Sequence, residues 1–180
     1  LNYLDNADST KYAPNENYGR ELLELHTVGV DAGYTEAMVL DSARIMTGYT
    51  IDWEDSSPRY REFRYDPSIH WTGRVRVLGF SHPNASRDGR QVARSYLGYL
   101  AHHPATARTI ARKLAVRFVS DAPSEALVNH LAAVYRAHDT EIVGDEHDGH
   151  PKLFLKSLQK AEDLCLHRDV ERGRRLVGDQ

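Results

Sequence analysis

Apolar residues recur at helical spacing soon after Pro14. Three of them follow one another at intervals of four and three residues: Tyr18, Leu22 and Leu25. This spacing predicts an amphipathic helix over residues 14–26, which Pro14 suits because proline's missing N–H would have no partner in a first turn. A second helix is predicted after Thr35, a suitable N-cap residue, and Gly48 is expected to end it.

Residues 49–86 have a different pattern. Val75 and Val77 alternate with arginines, which predicts a short strand, and residues 61–66 are predicted to be its hairpin partner. Helical periodicity then returns in four segments, predicted at residues 88–102, 104–119, 123–138 and 152–165. The sequence therefore predicts a mainly α fold, a multi-helix domain with one short β-hairpin inserted between the second and third helices.

The composition is that of an ordinary folded domain. Of the 180 residues, 41% are hydrophobic and 27% are charged, and a chain of this length can bury one core. The single cysteine, Cys165, excludes an intramolecular disulfide framework and a zinc site built from cysteines. No apolar run approaches the length of about 18 residues that a membrane span needs. The motifs of dinucleotide, nucleotide, zinc-protease and α/β-hydrolase sites do not occur.

Charge is distributed unevenly, although the net charge is only −3. Residues 1–58 contain three basic and eleven acidic residues, whereas residues 87–117 contain seven basic residues and one acidic residue. Opposite blocks within one chain more often neutralise each other in the fold than contact an external partner. Nucleic acid is therefore not an expected partner.

The densest polar cluster lies on the first predicted helix. Glu16, Arg20 and Glu24 are four residues apart, which places opposite charges along one face. Glu21 precedes Glu24 by three residues and directs a second carboxylate to the same side, whereas His26 points away from Glu24. Two interpretations stay open: the carboxylates hold a divalent metal or act as an acid–base pair, or ion pairs tie the helix to its neighbours.

The fourth predicted helix has a bulky apolar stripe with cations at its margin. The stripe consists of Ile110, Leu114 and Phe118. Lys113 and Arg117 fall within about 60° of Ile110 around the helix. Cations at the edge of a buried face need anions, because an unpaired buried charge is very costly. The acidic first helix is the expected source, with Glu21 and Glu24 within ion-pair distance of Lys113, Arg117 or Arg20.

Two histidines complete the candidates. His70 lies at the turn before the predicted strand, and loops often hold functional groups. His103 directly precedes Pro104 and either caps the helix or faces a site. The catalytic candidates are Glu16, Arg20, Glu21, Glu24, His70 and His103. The metal candidates are Glu21, Glu24 and His70.

Several phrases of the chain resemble the blocks of one bacterial family. The longest covers residues 13–30 and reads APNENYGRELLELHTVGV, followed by GYTE at residues 33–36. Shorter blocks are ARIMTGY at residues 43–49, HWTG at residues 70–73 and HPATA at residues 103–107. Together they resemble the domain of unknown function 1800 family over about residues 1–143.

The resemblance implies a mainly helical domain from exported proteins, periplasmic or extracellular, without an established reaction. It also implies a further partner, a helical N-terminal part of the same protein before Leu1. Trp71 follows His70 where many members have Asp, so a His–Asp pair is not assumed. After Val143 the family pattern is not recognisable. Residues 144–180 are accordingly predicted to form a divergent C-terminal helix and a frayed tail over residues 168–180.

Two functions of different classes follow. The first is an exported enzyme or metal-dependent site on the first helix, completed by His70 or His103, with a divalent metal as the implied cofactor. The second is a non-catalytic exported partner or assembly protein, in which the polar network of the first helix is structural.

Overall fold

The computed structural model describes residues 5–142, and only the backbone of residues 138–142. Helices dominate this part of the chain, as the periodicity predicts. The α-helices are α1 (Glu16–Glu21), α2 (Glu36–Ile45), α3 (Arg90–Ala101), α4 (Pro104–Phe118) and α5 (Glu125–Ile142). In the described residues no helix is both long and apolar enough to cross a membrane. The helix predicted at residues 152–165 and the tail over residues 168–180 lie outside the described residues.

The first predicted helix is divided into two kinds of helix. Asn15 caps α1 by accepting a hydrogen bond of 3.0 Å from the Tyr18 N–H. After Glu21 the chain continues as a π-helical segment, Leu22–His26. The Thr27 hydroxyl donates to the Leu22 carbonyl at 2.7 Å. This bond provides a partner for a carbonyl at the point where the helical pitch changes.

The prediction of one hairpin between the second and third helices is wrong. Four strands form two separate antiparallel sheets ahead of α3–α5: β1 (Tyr49–Ile51), β2 (Phe63–Tyr65), β3 (Val75–Val77) and β4 (Phe80–His82). β2, the expected partner of β3, pairs with β1 instead. β3 pairs with β4 because Leu78 and Gly79 connect them in a tight turn, with φ values of 47° and 92°.

The main core lies between α1, α2, α3 and the β3–β4 sheet. Its fully buried members include Leu23, Val39, Ile45, Val75, Val77, Tyr96 and Leu100. α1 and α2 approach closely at Gly19. A Cβ at this position would lie 2.7 Å from the Val39 carbonyl oxygen and 2.8 Å from the Ala43 nitrogen. The Ser42 hydroxyl donates to the Gly19 carbonyl at 3.3 Å, which fixes the crossing.

A second, smaller core joins α4 to α5 and corrects the expected orientation of α4. The side chains it buries are Ala107, Ala111, Ala115, Val128 and Ala132. Leu114 and Phe118, predicted to be buried, are instead 44% and 65% exposed. The small alanine side chains let α5 approach α4, and Arg108 and Arg112 both pair with Glu125 of α5. Leu114 and Phe118 consequently stay outside this core.

Candidate functional site

The polar cluster on the first helix is organised by residues that follow the π-helical segment. The Arg20 guanidinium donates to both carboxylate oxygens of Glu36, one of them at 3.1 Å. Its distance to the Glu24 carboxylate is 3.9 Å. The Tyr34 hydroxyl donates to the same Glu24 carboxylate at 2.9 Å. Arg20 is thus held between two carboxylates of the chain.

Tyr34 acts in this cluster as a hydrogen-bond donor. Burial, and then the hydrogen bond to Glu24, raises the pKa of Tyr34 to about 12. The phenol therefore stays protonated at neutral pH and cannot serve there as a base. Helical spacing within residues 14–26 does not reveal Tyr34 or Glu36, although both stand in the GYTE block that follows.

The expected network between the first and fourth helices is built mainly from backbone carbonyls. The Lys113 ammonium donates to the Leu25 carbonyl, and the Thr109 hydroxyl donates to the Val28 carbonyl at 2.9 Å. The carbonyl end of a helix carries partial negative charge, which attracts a cation. Of the ion pairs expected for Glu21 and Glu24, the one between Glu24 and Arg20 is present. Glu21 is half-buried, and Glu16 is exposed.

His70 is enclosed within the fold. The imidazole is 2% exposed, and its Nδ1 lies 2.8 Å from the Thr47 carbonyl oxygen. Its Nε2 lies 3.0 Å from Oδ1 of Asn84. Gly89 covers the ring so closely that a Cβ there would be 2.1 Å from the His70 Cε1. Both nitrogens are therefore engaged in hydrogen bonds, which leaves neither one available to a metal or a substrate.

Asn84 is the central residue of this buried cluster and is not among the residues predicted from the sequence. Its amide Nδ2 donates to the Trp71 carbonyl at 2.8 Å. Its backbone carbonyl accepts from Gly73 at 2.9 Å, and its backbone N–H donates to Nδ1 of His82 at 2.9 Å. The residue has a φ of 45°, a conformation that asparagine tolerates better than most residues. The only signal available from sequence is an asparagine directly after Pro83 in a turn-rich stretch.

His103 caps α4. Its Nδ1 accepts a hydrogen bond of 3.2 Å from the Ala105 N–H, so this nitrogen is unprotonated. Burial lowers the pKa of His103, which favours the neutral, accepting form. Of the two alternatives that the sequence left open, the cap is the one found.

The metal candidates do not come together. Within residues 5–142, His, Cys, Asp and Glu side chains form no group of three or more that is suited to a metal ion. His70 is enclosed with Asn84, whereas Glu24 bonds Tyr34 near Arg20. The catalytic and metal roles assigned to Glu16, Arg20, Glu21, Glu24, His70 and His103 stay predictions.

Part of the α4 surface carries apolar and basic groups together. We call this surface the α4 outer face and define it by Ile110, Lys113, Leu114, Arg117 and Phe118. Leu114 and Phe118, one helical turn apart, are 44% and 65% exposed. α4 contains four basic residues and no acidic residue. The face is therefore a patch of large apolar side chains with positive charge along one margin.

Comparison with known families identifies the chain. A family model described as "Protein of unknown function (DUF1800)" matches residues 1–144. The chain belongs to this family. The match confirms the resemblance of the sequence blocks and extends over the described helices and both sheets of this DUF1800 domain. No curated protein and no solved structure matches the chain.

Proposed function

We propose that this DUF1800 domain is a non-catalytic assembly module that binds a partner helix on the α4 outer face. The exposure of Leu114 and Phe118 carries the proposal. A contiguous apolar patch on a folded surface is typical of an interaction site. The internal engagement of the alternative site residues supports the same choice, since Arg20 holds Glu36 and His70 is enclosed.

The charges of α4 define the chemistry of the partner. Arg108 and Arg112 are paired with Glu125 of α5, and Lys113 donates to the Leu25 carbonyl. Lys113 and Arg117 both flank the apolar positions of the α4 outer face. A second copy docked through the same face would bring these cations together. The complementary partner is a helix of another protein with apolar residues at intervals of three and four and with Asp or Glu beside them.

Two synthetic peptides test this chemistry directly. Both are helical and carry leucines at the first, fifth and eighth positions, but one has glutamates and the other lysines at the flanking positions. We expect fluorescence anisotropy to show that the glutamate peptide binds at least about tenfold more tightly, because like charges across an interface are strongly unfavourable. Added salt should reduce this difference.

Matched variants of α4 locate the binding surface. The double substitution Leu114→Ser with Phe118→Ser should weaken binding of the glutamate peptide by at least about tenfold. Val116→Ser is the control, because Val116 is 41% exposed but lies about 200° around the helix from Leu114. Circular dichroism checks that both variants remain folded.

Three results would contradict the proposal. Failure of both peptides to bind, or equal binding of the two, would contradict the inference that the partner is an acidic helix. A loss with Val116→Ser equal to that of the double variant would show that the α4 outer face is not the surface involved. Self-association of the unmodified chain in sedimentation, abolished by the double variant, would assign the face to a second copy instead.

A further inference from the structure

Both ring nitrogens of the buried His70 face oxygen atoms that accept hydrogen bonds. The Thr47 carbonyl oxygen lies 2.8 Å from Nδ1, and Oδ1 of Asn84 lies 3.0 Å from Nε2. The Thr47 hydroxyl is also 3.2 Å from Nδ1, but it donates its proton to the Arg44 carbonyl at 2.7 Å. Each nitrogen of His70 is thus placed to donate.

The amide orientation of Asn84 is fixed by a third group. Its Nδ2 donates to the Trp71 carbonyl at 2.8 Å, which directs Oδ1 toward His70. Turning the amide over would give Nε2 a donor, but it would also bring Oδ1 against the Trp71 carbonyl oxygen. A neutral imidazole donates through one nitrogen only. In either orientation of the Asn84 amide, the cluster would therefore keep one contact in which two acceptor atoms face each other without a proton between them.

We propose that His70 is held in the folded protein as an imidazolium and that this charge locks two loops onto the end of α2. With both nitrogens protonated, every contact in the cluster becomes a donor–acceptor pair. The ring of His70, which lies before β3, then ties Thr47 after α2 to Asn84 after β4. Asn84 in turn donates to the Trp71 carbonyl. A buried cation that donates two hydrogen bonds avoids most of the cost of an unpaired charge.

Charged groups of both signs lie around the ring, together with one tyrosine. The Arg90 guanidinium, by hydrogen bonding, holds the pKa of the Asp88 carboxyl at about 2, so Asp88 is anionic near the ring. Tyr65 packs at 6.2 Å between ring centroids. Arg90 lies over Tyr65, and Arg44 on α2 lies over the Trp71 ring at 4.5 Å. The enclosing loop leaves room for the ring because residue 89 is glycine.

The protonation of each histidine can be measured in one spectrum of the unmodified chain. Long-range 1H–15N correlation of the imidazole side chains distinguishes protonated from unprotonated ring nitrogens. His82 and His103 are internal controls, because their Nδ1 atoms accept backbone N–H groups at 2.9 and 3.2 Å. At about pH 7 we expect two protonated nitrogens for His70 and one for each control. One unprotonated nitrogen on His70 would overturn the proposal.

A second measurement tests the lock itself. Unfolded histidine releases its proton near about pH 6.5. If the folded chain retains that proton, stability falls as the pH rises above this value. We expect the urea midpoint of the wild type to fall between about pH 6.5 and 8.5 and the midpoint of His70→Gln to change less. Identical pH profiles would exclude the lock, and the spectrum of the wild type decides the charge state if His70→Gln does not fold.

Discussion

Gly19 and Gly98 both lie within helices, yet their replacement by alanine should change the free energy of unfolding in opposite directions. Alanine is favoured over glycine inside a helix by about 0.5–1 kcal/mol. A Cβ at Gly98 in α3 would meet no atom within 4 Å. Gly98→Ala should therefore stabilise the domain by about 0.5–1 kcal/mol.

At Gly19 the close approach of α1 to α2 reverses the sign. A Cβ would lie 2.7 Å from the Val39 carbonyl oxygen and 2.8 Å from the Ala43 nitrogen. Both are backbone atoms, so a rotamer change cannot relieve the clash and α1 must move away. Overpacking of this kind costs about 1–3 kcal/mol, which exceeds the gain in helix propensity. The movement also breaks the 3.3 Å hydrogen bond from Ser42. We expect Gly19→Ala to destabilise by about 1–2 kcal/mol in total.

Urea unfolding and thermal unfolding, both followed by far-UV circular dichroism, measure the two variants beside the wild type. A change of 1 kcal/mol shifts the thermal midpoint of a chain of this size by about 2–4 °C, which is readily resolved. A Gly19→Ala variant at least as stable as the wild type would refute the tight crossing of α1 and α2. A destabilised Gly98→Ala variant would refute the assumption that helix propensity decides the sign in open space.

Two further predictions concern the buried and capping polar groups. Since burial lowers the pKa of His103, its cap stabilises α4 above about pH 6.5 and is lost as the pH falls through the lowered value. Between about pH 7 and pH 5, the free energy of unfolding measured in urea should therefore fall more for the wild type than for His103→Asn, because asparagine caps the helix at both pH values. An equal fall in the two proteins would contradict the cap. Asn84→Ala should destabilise the domain by about 1–3 kcal/mol for each buried group that it leaves unpaired. Asn129→Ala, at an exposed site, should change the free energy of unfolding by less than about 0.5 kcal/mol. Similar effects of the two substitutions would argue against the buried cluster.

The helices are the part of the fold that the sequence predicts best, because their signals are local. The predicted range of 104–119 differs by one residue from α4, and 88–102 contains α3 with little excess. Thr35 caps α2 as expected, accepting from the Met38 N–H at 3.4 Å. Apolar periodicity and end residues act within one or two turns, so they can be recognised without knowing the neighbours of the helix.

Features that depend on neighbouring elements were predicted poorly. Alanines at positions 107, 111 and 115 carry a weaker hydrophobic signal than Leu114 and Phe118, so the bulky stripe was expected to be buried. The alanine face is buried instead because it lets α5 approach closely. The pairing of β3 with β4 was missed because Leu78, a residue unusual at positive φ, takes part in the turn.

The candidate site shows the same division between local and distant information. Glu24 meets Tyr34 ten residues further along the chain, and His70 meets Asn84 across the β3–β4 hairpin, at separations that helical spacing cannot encode. In both cases the unpredicted partner leaves the titratable residue occupied within the fold. The exposed apolar pair of Leu114 and Phe118 has no such internal partner among residues 5–142 that removes it from solvent. Peptide binding depends on the surface of α4, whereas the charge state of His70 depends on a buried cluster elsewhere in the domain. Either experiment can therefore fail without changing the expectation for the other.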